Sequence, residues 1–265
     1  MLPSFLILGV QKGGTSSLYR WLVRHPHVLP ARRKELHFFD REHDRGLRWY
    51  RGQFPGRLRE GWHRVVRRRP VVTGEASPSY LPDPAVRDRV RAALPDARFV
   101  VLLRDPVERA WSHHRHFVRR GRPVPPFAEA VERERRDDLA GRRRPEDARG
   151  YLGRGRYAEQ LERWFEVFPR EQFLVLRSED VFASPAEHVR RVVDFLGLAP
   201  LDPTQWVGEF DVWNRGLSLD LDPATRRVLE DYFAPHEDRL VALLGPTFRW
   251  DRCTSRATSG SMARS

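Results

Sequence analysis

The stretch that most constrains the fold is residues 5–22, where an apolar segment runs into a glycine turn and then into hydroxyl residues. Residues 5–9, Phe-Leu-Ile-Leu-Gly, predict a buried strand, and a helix is predicted over 15–24. At the start of such a helix, unpaired N–H groups and the helix dipole attract an anion. Glycines let the anion approach the backbone, and Lys12 adds a positive charge beside it. The stretch therefore predicts a phosphate site at a strand-to-helix turn.

The turn is similar to a nucleotide P-loop, but its lysine stands in a different place. In the Walker pattern G-x-x-x-x-G-K-[ST] the lysine follows the last glycine, whereas here it precedes a pair of glycines. An ordinary strand-to-helix connection, with hydroxyl side chains capping the helix, explains the same residues without a ligand. The residues expected to hold the phosphate are Lys12, Gly13, Gly14, Thr15, Ser16 and Ser17.

A second anion site is predicted where another buried strand ends. Residues 98–103, Arg-Phe-Val-Val-Leu-Leu, are the kind of apolar run found in strands covered on both faces, and Arg104 follows them directly. An Asp-Pro pair then opens a helix predicted over 106–120, on which Ser112 comes roughly two turns later. A guanidinium and a hydroxyl at one sheet edge can grip a phosphate. A structural Arg–Asp pair at the strand end is the alternative.

Together the two motifs strongly resemble the sulfotransferases that use 3′-phosphoadenosine 5′-phosphosulfate (PAPS), especially the Golgi heparan sulfate branch. That branch carries G-V-x-K-G-G-T and a later E-x-H-F-F-D, and this chain has G-V-Q-K-G-G-T at 9–15 and E-L-H-F-F-D at 35–40. Its segment 74–80, G-E-A-S-P-S-Y, is similar to the branch's E-K-T-P-x-Y. The resemblance implies that the first loop binds the 5′-phosphosulfate and that Arg104 and Ser112 bind the 3′-phosphate.

The resemblance also implies catalytic and acceptor-side roles. Lys12 would steady the leaving phosphate oxygen, and Glu35 matches the glutamate that removes the proton of the acceptor. His37 lies on the same side of an extended segment, and other sulfotransferase branches use a histidine as the base. Asp40 matches an acceptor-side aspartate, and Glu75 is expected in a loop that faces the same cleft. Substrate binding is therefore expected of Glu35, His37, Asp40 and Glu75.

Bland interpretations of these residues stay open, and the chain also departs from the branch. Glu35 could form a surface ion pair with a neighbouring arginine, and His37 could be a structural histidine. Ala76 replaces a substrate-binding lysine, which argues against a heparan-type acceptor. Arg215 and Gly216 are similar to the branch's K-G turn, so the resemblance implies that they bind the cofactor near its 3′-phosphate and adenine.

The order of predicted elements gives the fold class. Strands alternate with helices, which predicts an α/β fold with a central parallel sheet flanked by helices and a P-loop-like phosphate-binding loop. One domain is expected over 1–250, with a disordered tail at 251–265 and a mobile segment at 145–150 that could act as a lid. The strands are predicted at 5–9, 71–73, 98–103 and 172–176, and the helices at 15–24, 84–94, 106–120, 126–136, 155–168, 184–197 and 223–243.

The charge of the chain favours anionic partners and leaves two rival functions. The net charge is +12, much of it in basic runs at 64–69 and 133–144 that are either solvated faces or a funnel for PAPS or an acidic acceptor. A nucleic-acid-binding protein is one rival, but the chain lacks a recognisable module. A P-loop kinase or NTPase would need magnesium ligands and a strand ending in Asp, whereas this strand ends in Arg104. No metal is therefore expected, because Lys12, Arg104 and N–H groups meet the phosphates.

Cysteine and lysine usage indicates where the chain works. The single cysteine, Cys253, excludes an internal disulfide. Residues 5–10 are apolar but too few to span a bilayer, and no basic n-region or cleavage site precedes them. We therefore expect a cytoplasmic protein. Of the 48 Lys and Arg residues only Lys12 and Lys34 are lysine, which indicates a GC-rich bacterial genome and makes the lysine of the loop stand out.

Overall fold

A computed structural model describes residues 1–56, 71–142, 150–200, 210 and 220–250. Its centre is one sheet of five parallel strands in the order β2-β3-β1-β4-β5. The order changes direction at β1, because the chain builds β2 and β3 on one side of it and β4 and β5 on the other. Ligands of open parallel sheets bind at the carboxyl ends of the strands beside such a switch point. The strands are β1 (Phe5–Gly9), β2 (Val28–Pro30), β3 (Val72–Ala76), β4 (Arg98–Leu103) and β5 (Phe173–Arg177).

Helices cover the sheet, and Asp-Pro pairs begin three of them. Asp83, Asp105 and Asp222 each accept a hydrogen bond from a backbone N–H of the first helical turn, at 2.8–3.1 Å, and a proline follows each aspartate. The helices are α1 (Thr15–Leu22), α2 (Gly46–Arg51), α3 (Pro84–Ala93), α4 (Pro106–Arg119), α5 (Phe127–Leu139), α6 (Tyr157–Phe165), α7 (Ser178–Ala183), α8 (Pro185–Phe195) and α9 (Pro223–Leu244).

The two faces of the sheet bury separate apolar clusters. In β1, residues 5 and 7 pack into the cluster around Trp21, and residues 6 and 8 pack into the cluster around Trp164. This alternation follows from the two-residue period of a strand. Because both faces are covered, β1 and β4 read as continuous apolar runs in the sequence. The predicted fold class, an α/β protein with a central parallel sheet, is confirmed.

Three short elements escaped the sequence prediction. The edge strand β2 has only three residues and ends in Pro30, so it shows no period, and the six-residue helices α2 and α7 are equally short. β3 runs to Ala76, three residues beyond the predicted strand 71–73. The predictions for 64–69, 145–149, Arg215 and Gly216 and the tail fall outside the described residues, and the domain boundary at 250 stays a prediction.

Candidate active site

A cleft of about 1290 Å³ opens at the carboxyl ends of β1 and β4. Its lining is strongly cationic: among the described residues ten lysines and arginines line it, against four aspartates and glutamates. Both predicted anion sites therefore belong to a single cavity. The predicted site residues that line it are Lys12, Gly14, Thr15, Ser16, Glu35, His37, Arg104 and Ser112.

The turn after β1 is close-packed, which explains its glycines. Gly14 has a φ of +90°, a left-handed conformation, and a Cβ there would overlap the ring of Phe182. Gly13 donates its N–H to the Val10 carbonyl at 2.8 Å and accepts a hydrogen bond from the Ser178 hydroxyl at 2.7 Å. The first N–H groups of α1 have no partner within the helix. The turn is thus shaped to present these N–H groups to an anion.

Arg104 connects the two anion sites directly. Its Nη1 donates a hydrogen bond to the carbonyl of Lys12 at 3.1 Å, and the Tyr157 hydroxyl donates to the carbonyl of Arg104 at 2.8 Å. Burial, together with the smaller effect of the nearby positive charges of Arg119 and Arg104, lowers the pKa of Lys12 to about 8. Such a crowd of cations is costly without an anion, so this arrangement favours binding of a multiply charged ligand.

A row of alternating charges, from Lys34 to Asp40, lies next to the start of α1. The Glu35 carboxylate contacts His37 Nε2 at 3.1 Å through one oxygen and Lys34 Nζ at 3.3 Å through the other. His37 Nδ1 lies 3.1 Å from Asp40 Oδ2, which also accepts a hydrogen bond from the Ser79 hydroxyl at 2.7 Å. The ion-pair partners of Glu35 are thus Lys34 and His37 rather than an arginine of the preceding segment.

These contacts decide the protonation states at neutral pH. Hydrogen bonds with Asp40 and Glu35 raise the pKa of His37 to about 9, so it is an imidazolium. Burial raises the pKa of Glu35, but the hydrogen bond from His37 and the charge of Lys34 outweigh it, and the net pKa is lowered. Glu35 is therefore an ionised acceptor of protons, whereas His37 already carries its proton.

Two predicted acceptor-side residues, Glu75 and Asp40, lie behind the cleft wall, and their binding of substrate stays a prediction. The Glu75 carboxyl is 1% exposed and accepts hydrogen bonds from the hydroxyls of Tyr50 at 2.6 Å and Ser77 at 2.8 Å. Burial raises the pKa of Glu75 to about 7. It belongs to β3 rather than to a loop, so it supports the site from beneath. Asp40, with a side chain 4% exposed, orients His37 and does not line the cleft.

Two residues of the glycine turn are also displaced from the cleft surface. Ser17 is fully buried on the inner side of α1, and its N–H donates to the carbonyl of Gly14 at 3.0 Å. Gly13 packs its backbone against Val10 and β4. In this structure these two residues shape the turn, and their contact with the ligand stays a prediction.

The structure brings further residues to the cleft that the sequence reasoning missed. Lys34 Nζ bridges Glu35 to the hydroxyl of Ser16, and the rarity of lysine in this chain was a signal that could have found it. Ser79 anchors Asp40, and no signal in the sequence distinguished it. His113 lines the cleft next to Ser112, although it is 2% exposed; burial and the charge of Arg109 lower its pKa to about 2.

The family model of the sulfotransferase domain matches residues 2–207. The chain belongs to the sulfotransferase domain family. Heparan sulfate glucosamine 3-O-sulfotransferase 6 of Mus musculus is 37% identical over 196 residues, 74% of this chain and 52% of that protein. Heparan sulfate glucosamine 3-O-sulfotransferase 3B1 of Homo sapiens is 36% identical over 197 residues, 74% and 46% of the two chains. A solved sulfotransferase from Alicyclobacillus acidocaldarius is 32% identical, with a TM-score of 0.67 over 92% of this chain and 96% of that one.

This sulfotransferase-family chain spans about half the length of the heparan sulfate relatives that it matches. No helix in the described part of the chain is both long and apolar enough to cross a membrane. Within the same residues, no group of three or more His, Cys, Asp or Glu side chains is placed to hold a metal ion.

Proposed function

We propose that this protein transfers a sulfuryl group from PAPS to a hydroxyl, or less often an amine, of a saccharide or small-molecule acceptor. The observation that carries the proposal is that Lys12 of the glycine turn and the carboxylate of Glu35 line one cleft. PAPS supplies the sulfuryl group: the acceptor oxygen bonds to sulfur, the bond from sulfur to the 5′-phosphate oxygen breaks, and 3′,5′-bisphosphoadenosine (PAP) leaves.

The residues of the cleft fit a nucleotide with phosphates at both ends. In this proposal the glycine turn offers backbone N–H groups and Lys12 to a 5′-phosphosulfate. Arg104, which contacts the turn, and Ser112, which lines the same cleft, would bind a 3′-phosphate. The cationic excess of the lining is of the kind that such a ligand neutralises. In this proposal no metal is needed, because lysine, arginine and N–H groups carry the phosphates.

Glu35 is the base in this proposal, and Lys12 stabilises the leaving group. Glu35 is ionised at neutral pH and half-buried at the cleft, where it can take the proton of the acceptor. His37 contacts Glu35 on one side and Asp40 on the other, so these two residues hold the carboxylate of Glu35 in place. His37 is not itself the base in this proposal, because an imidazolium cannot accept a proton. Lys12 carries its charge to the oxygen on which negative charge collects.

The nature of the acceptor rests on the relatives and on one departure from them. The two heparan sulfate relatives are 3-O-sulfotransferases by name, which supports a saccharide hydroxyl as the acceptor. Ala76 replaces the lysine expected in that branch, so we propose an acceptor other than heparan sulfate. Bacterial origin, a cytoplasmic location and the nucleotide contacts of Arg215 and Gly216 stay predictions.

A thermal-shift experiment tests the donor assignment. We expect PAP to raise the melting temperature without magnesium, and to do so more than AMP, because only PAP engages both ends of the cleft. A shift with ATP that requires magnesium would favour a P-loop kinase instead. A shift with nucleic acid and none with PAP would favour the basic binding protein.

Activity variants test the base. Glu35→Gln and Lys12→Ala should each abolish transfer from sulfur-35-labelled PAPS, and Glu35→Gln should keep its affinity for PAP. Full turnover of Glu35→Gln would move the base to His37. Because Lys12 has a pKa of about 8 and must be charged, kcat/KM should fall as the pH rises through 8. In Lys12→Arg this alkaline limb should move to higher pH.

A further inference from the structure

Lys34 joins the two halves of the candidate active site. Its Nζ donates a hydrogen bond to the Ser16 hydroxyl at 3.0 Å and another to Glu35 Oε1 at 3.3 Å. Ser16 lies in the first turn of α1, at the predicted phosphosulfate end, and Glu35 lies in the segment after β2. One ammonium group therefore bridges the donor-binding turn and the catalytic carboxylate, which are 19 residues apart in the sequence.

Burial of the Lys34 ammonium costs free energy, which its contacts with Glu35 and Ser16 offset. Its side chain is 17% exposed, and burial lowers its pKa below the ordinary lysine value, while the charge and hydrogen bond of Glu35 oppose that effect. The lysine is therefore held as a cation mainly by the carboxylate that it contacts. Arginine supplies 46 of the 48 strongly basic side chains of this chain, yet both lysines line the cleft. A flexible ammonium with three donors suits a bridge between a hydroxyl and a carboxylate oxygen.

The fold supports the bridge independently of Lys34. The backbone N–H of Ala31 donates to the Tyr19 hydroxyl at 2.9 Å, and Tyr19 lies on α1. The segment that carries Glu35 is thus already fastened to α1 near its start. Removing the Lys34 ammonium should free the carboxylate and the Ser16 hydroxyl without detaching the segment.

We propose that Lys34 is a positioning residue that sets the distance and orientation between the base and the donor. The proposal rests on the proposed function of this cleft. With one oxygen held by Lys34 and the other by His37, the Glu35 carboxylate has a fixed orientation toward the turn. Since an in-line transfer needs the base, the acceptor oxygen and the sulfur in register, small displacements of the carboxylate cost rate rather than donor affinity.

The kinetic test compares Lys34→Met and Lys34→Arg with the exposed neighbour Arg32→Met as the control. We expect kcat of Lys34→Met to fall about 10- to 100-fold while the Kd for PAP changes less than about threefold. The acid limb of the pH profile of kcat should move to higher pH in Lys34→Met, because the lysine charge that lowers the pKa of Glu35 has been removed. Lys34→Arg should regain part of the rate, and Arg32→Met should match the unaltered chain. An unchanged kcat and acid limb in Lys34→Met, while the unaltered chain turns over, would overturn the bridge.

A second measurement needs no turnover. Because the chain has two lysines, lysine labelled with carbon-13 at Cε gives two side-chain NMR signals, which Lys34→Arg assigns. We expect Glu35→Gln to lower the pKa of Lys34 further and to leave that of Lys12 unchanged, since the carboxylate supports only the former. A Lys34 titration that ignores Glu35→Gln would overturn the bridge. Absence of turnover in the unaltered chain, with this coupling intact, would instead refute the proposed sulfuryl transfer.

Discussion

Replacing Asp40 by asparagine should lower the pKa of His37 and shift the protonation of the whole charged row. The rise of the His37 pKa from 6.5 to about 9 corresponds to about 3.4 kcal/mol in favour of the imidazolium. The hydrogen bond with Asp40 is the largest contribution, followed by the one with Glu35. If Asp40→Asn removes about half of this stabilisation, the imidazolium loses about 1.7 kcal/mol, which is about 20-fold in the protonation equilibrium of the ring.

The assay is a histidine titration by NMR, with His37→Asn identifying the signal. Because the native pKa is raised to about 9, the ring stays an imidazolium through neutral pH and loses its proton only as the pH rises through about 9. In Asp40→Asn the loss of the proton should begin nearer to neutrality. Asp44→Asn, an exposed carboxylate nearby, is the control and should leave this titration unchanged. A His37 titration that is unchanged in Asp40→Asn would refute the reasoning.

Three further predictions follow from the turn, the second anion site and the buried acid. Gly14→Ala should lose most of its affinity for PAP, because a left-handed alanine costs about 1–2 kcal/mol and its Cβ overlaps a phenylalanine ring. The control is Gly121→Ala, at a position with φ +66° and no neighbour within 4 Å of an added Cβ. Equal affinities of the two variants for PAP would contradict this explanation. Arg104→Ala should weaken the affinity for PAP about 10- to 100-fold and Ser112→Ala about fivefold, with smaller losses of affinity for AMP. Calorimetry measures these affinities, and equal losses for both nucleotides would contradict the 3′-phosphate assignment. Glu75→Gln should gain stability relative to the unaltered chain as the pH rises from 4.5 to about 7, by about 3 kcal/mol, because the native Glu75 carboxyl stays neutral while that of the unfolded chain ionises. Urea unfolding at pH 5 and 8 measures the difference in the free energy of unfolding between the two chains. A difference that does not change with pH would contradict the prediction.

The sequence was sufficient for the parts of the fold that rest on local chemistry. Helices predicted to start at 84, 106 and 223 begin there in the structure, because each follows an Asp-Pro pair that fixes the cap and the first turn. Strands 5–9 and 98–103 were also placed correctly, since both are apolar runs buried on two faces. Because the strands are parallel, their carboxyl ends share one edge of the sheet, and Lys12 and Arg104 line one cleft at that edge.

Burial of individual polar residues could not be predicted in the same way. The predicted strand 71–73 ended too early, so Glu75 was assigned to a loop, whereas β3 continues through it and turns its carboxyl toward Tyr50. Ser17 follows two residues that line the cleft, but each step along a helix rotates the side chain by about 100°, which brings this one into the core. Glu35 is held by its sequence neighbours Lys34 and His37 rather than by Arg32 or Arg33, and the sequence alone does not distinguish among these nearby basic residues.

The scarcity of lysine has a practical consequence for handling this protein. Reagents that couple through primary amines, such as activated esters used for surface immobilisation or fluorescent tagging, find only two side-chain targets, and both line the cleft. With the pKa of Lys12 near 8, its amine is partly unprotonated and nucleophilic under ordinary coupling conditions. Amine conjugation at side chains would therefore label only the cleft, with the α-amino group as the other target, and a bound nucleotide should shield the two lysines.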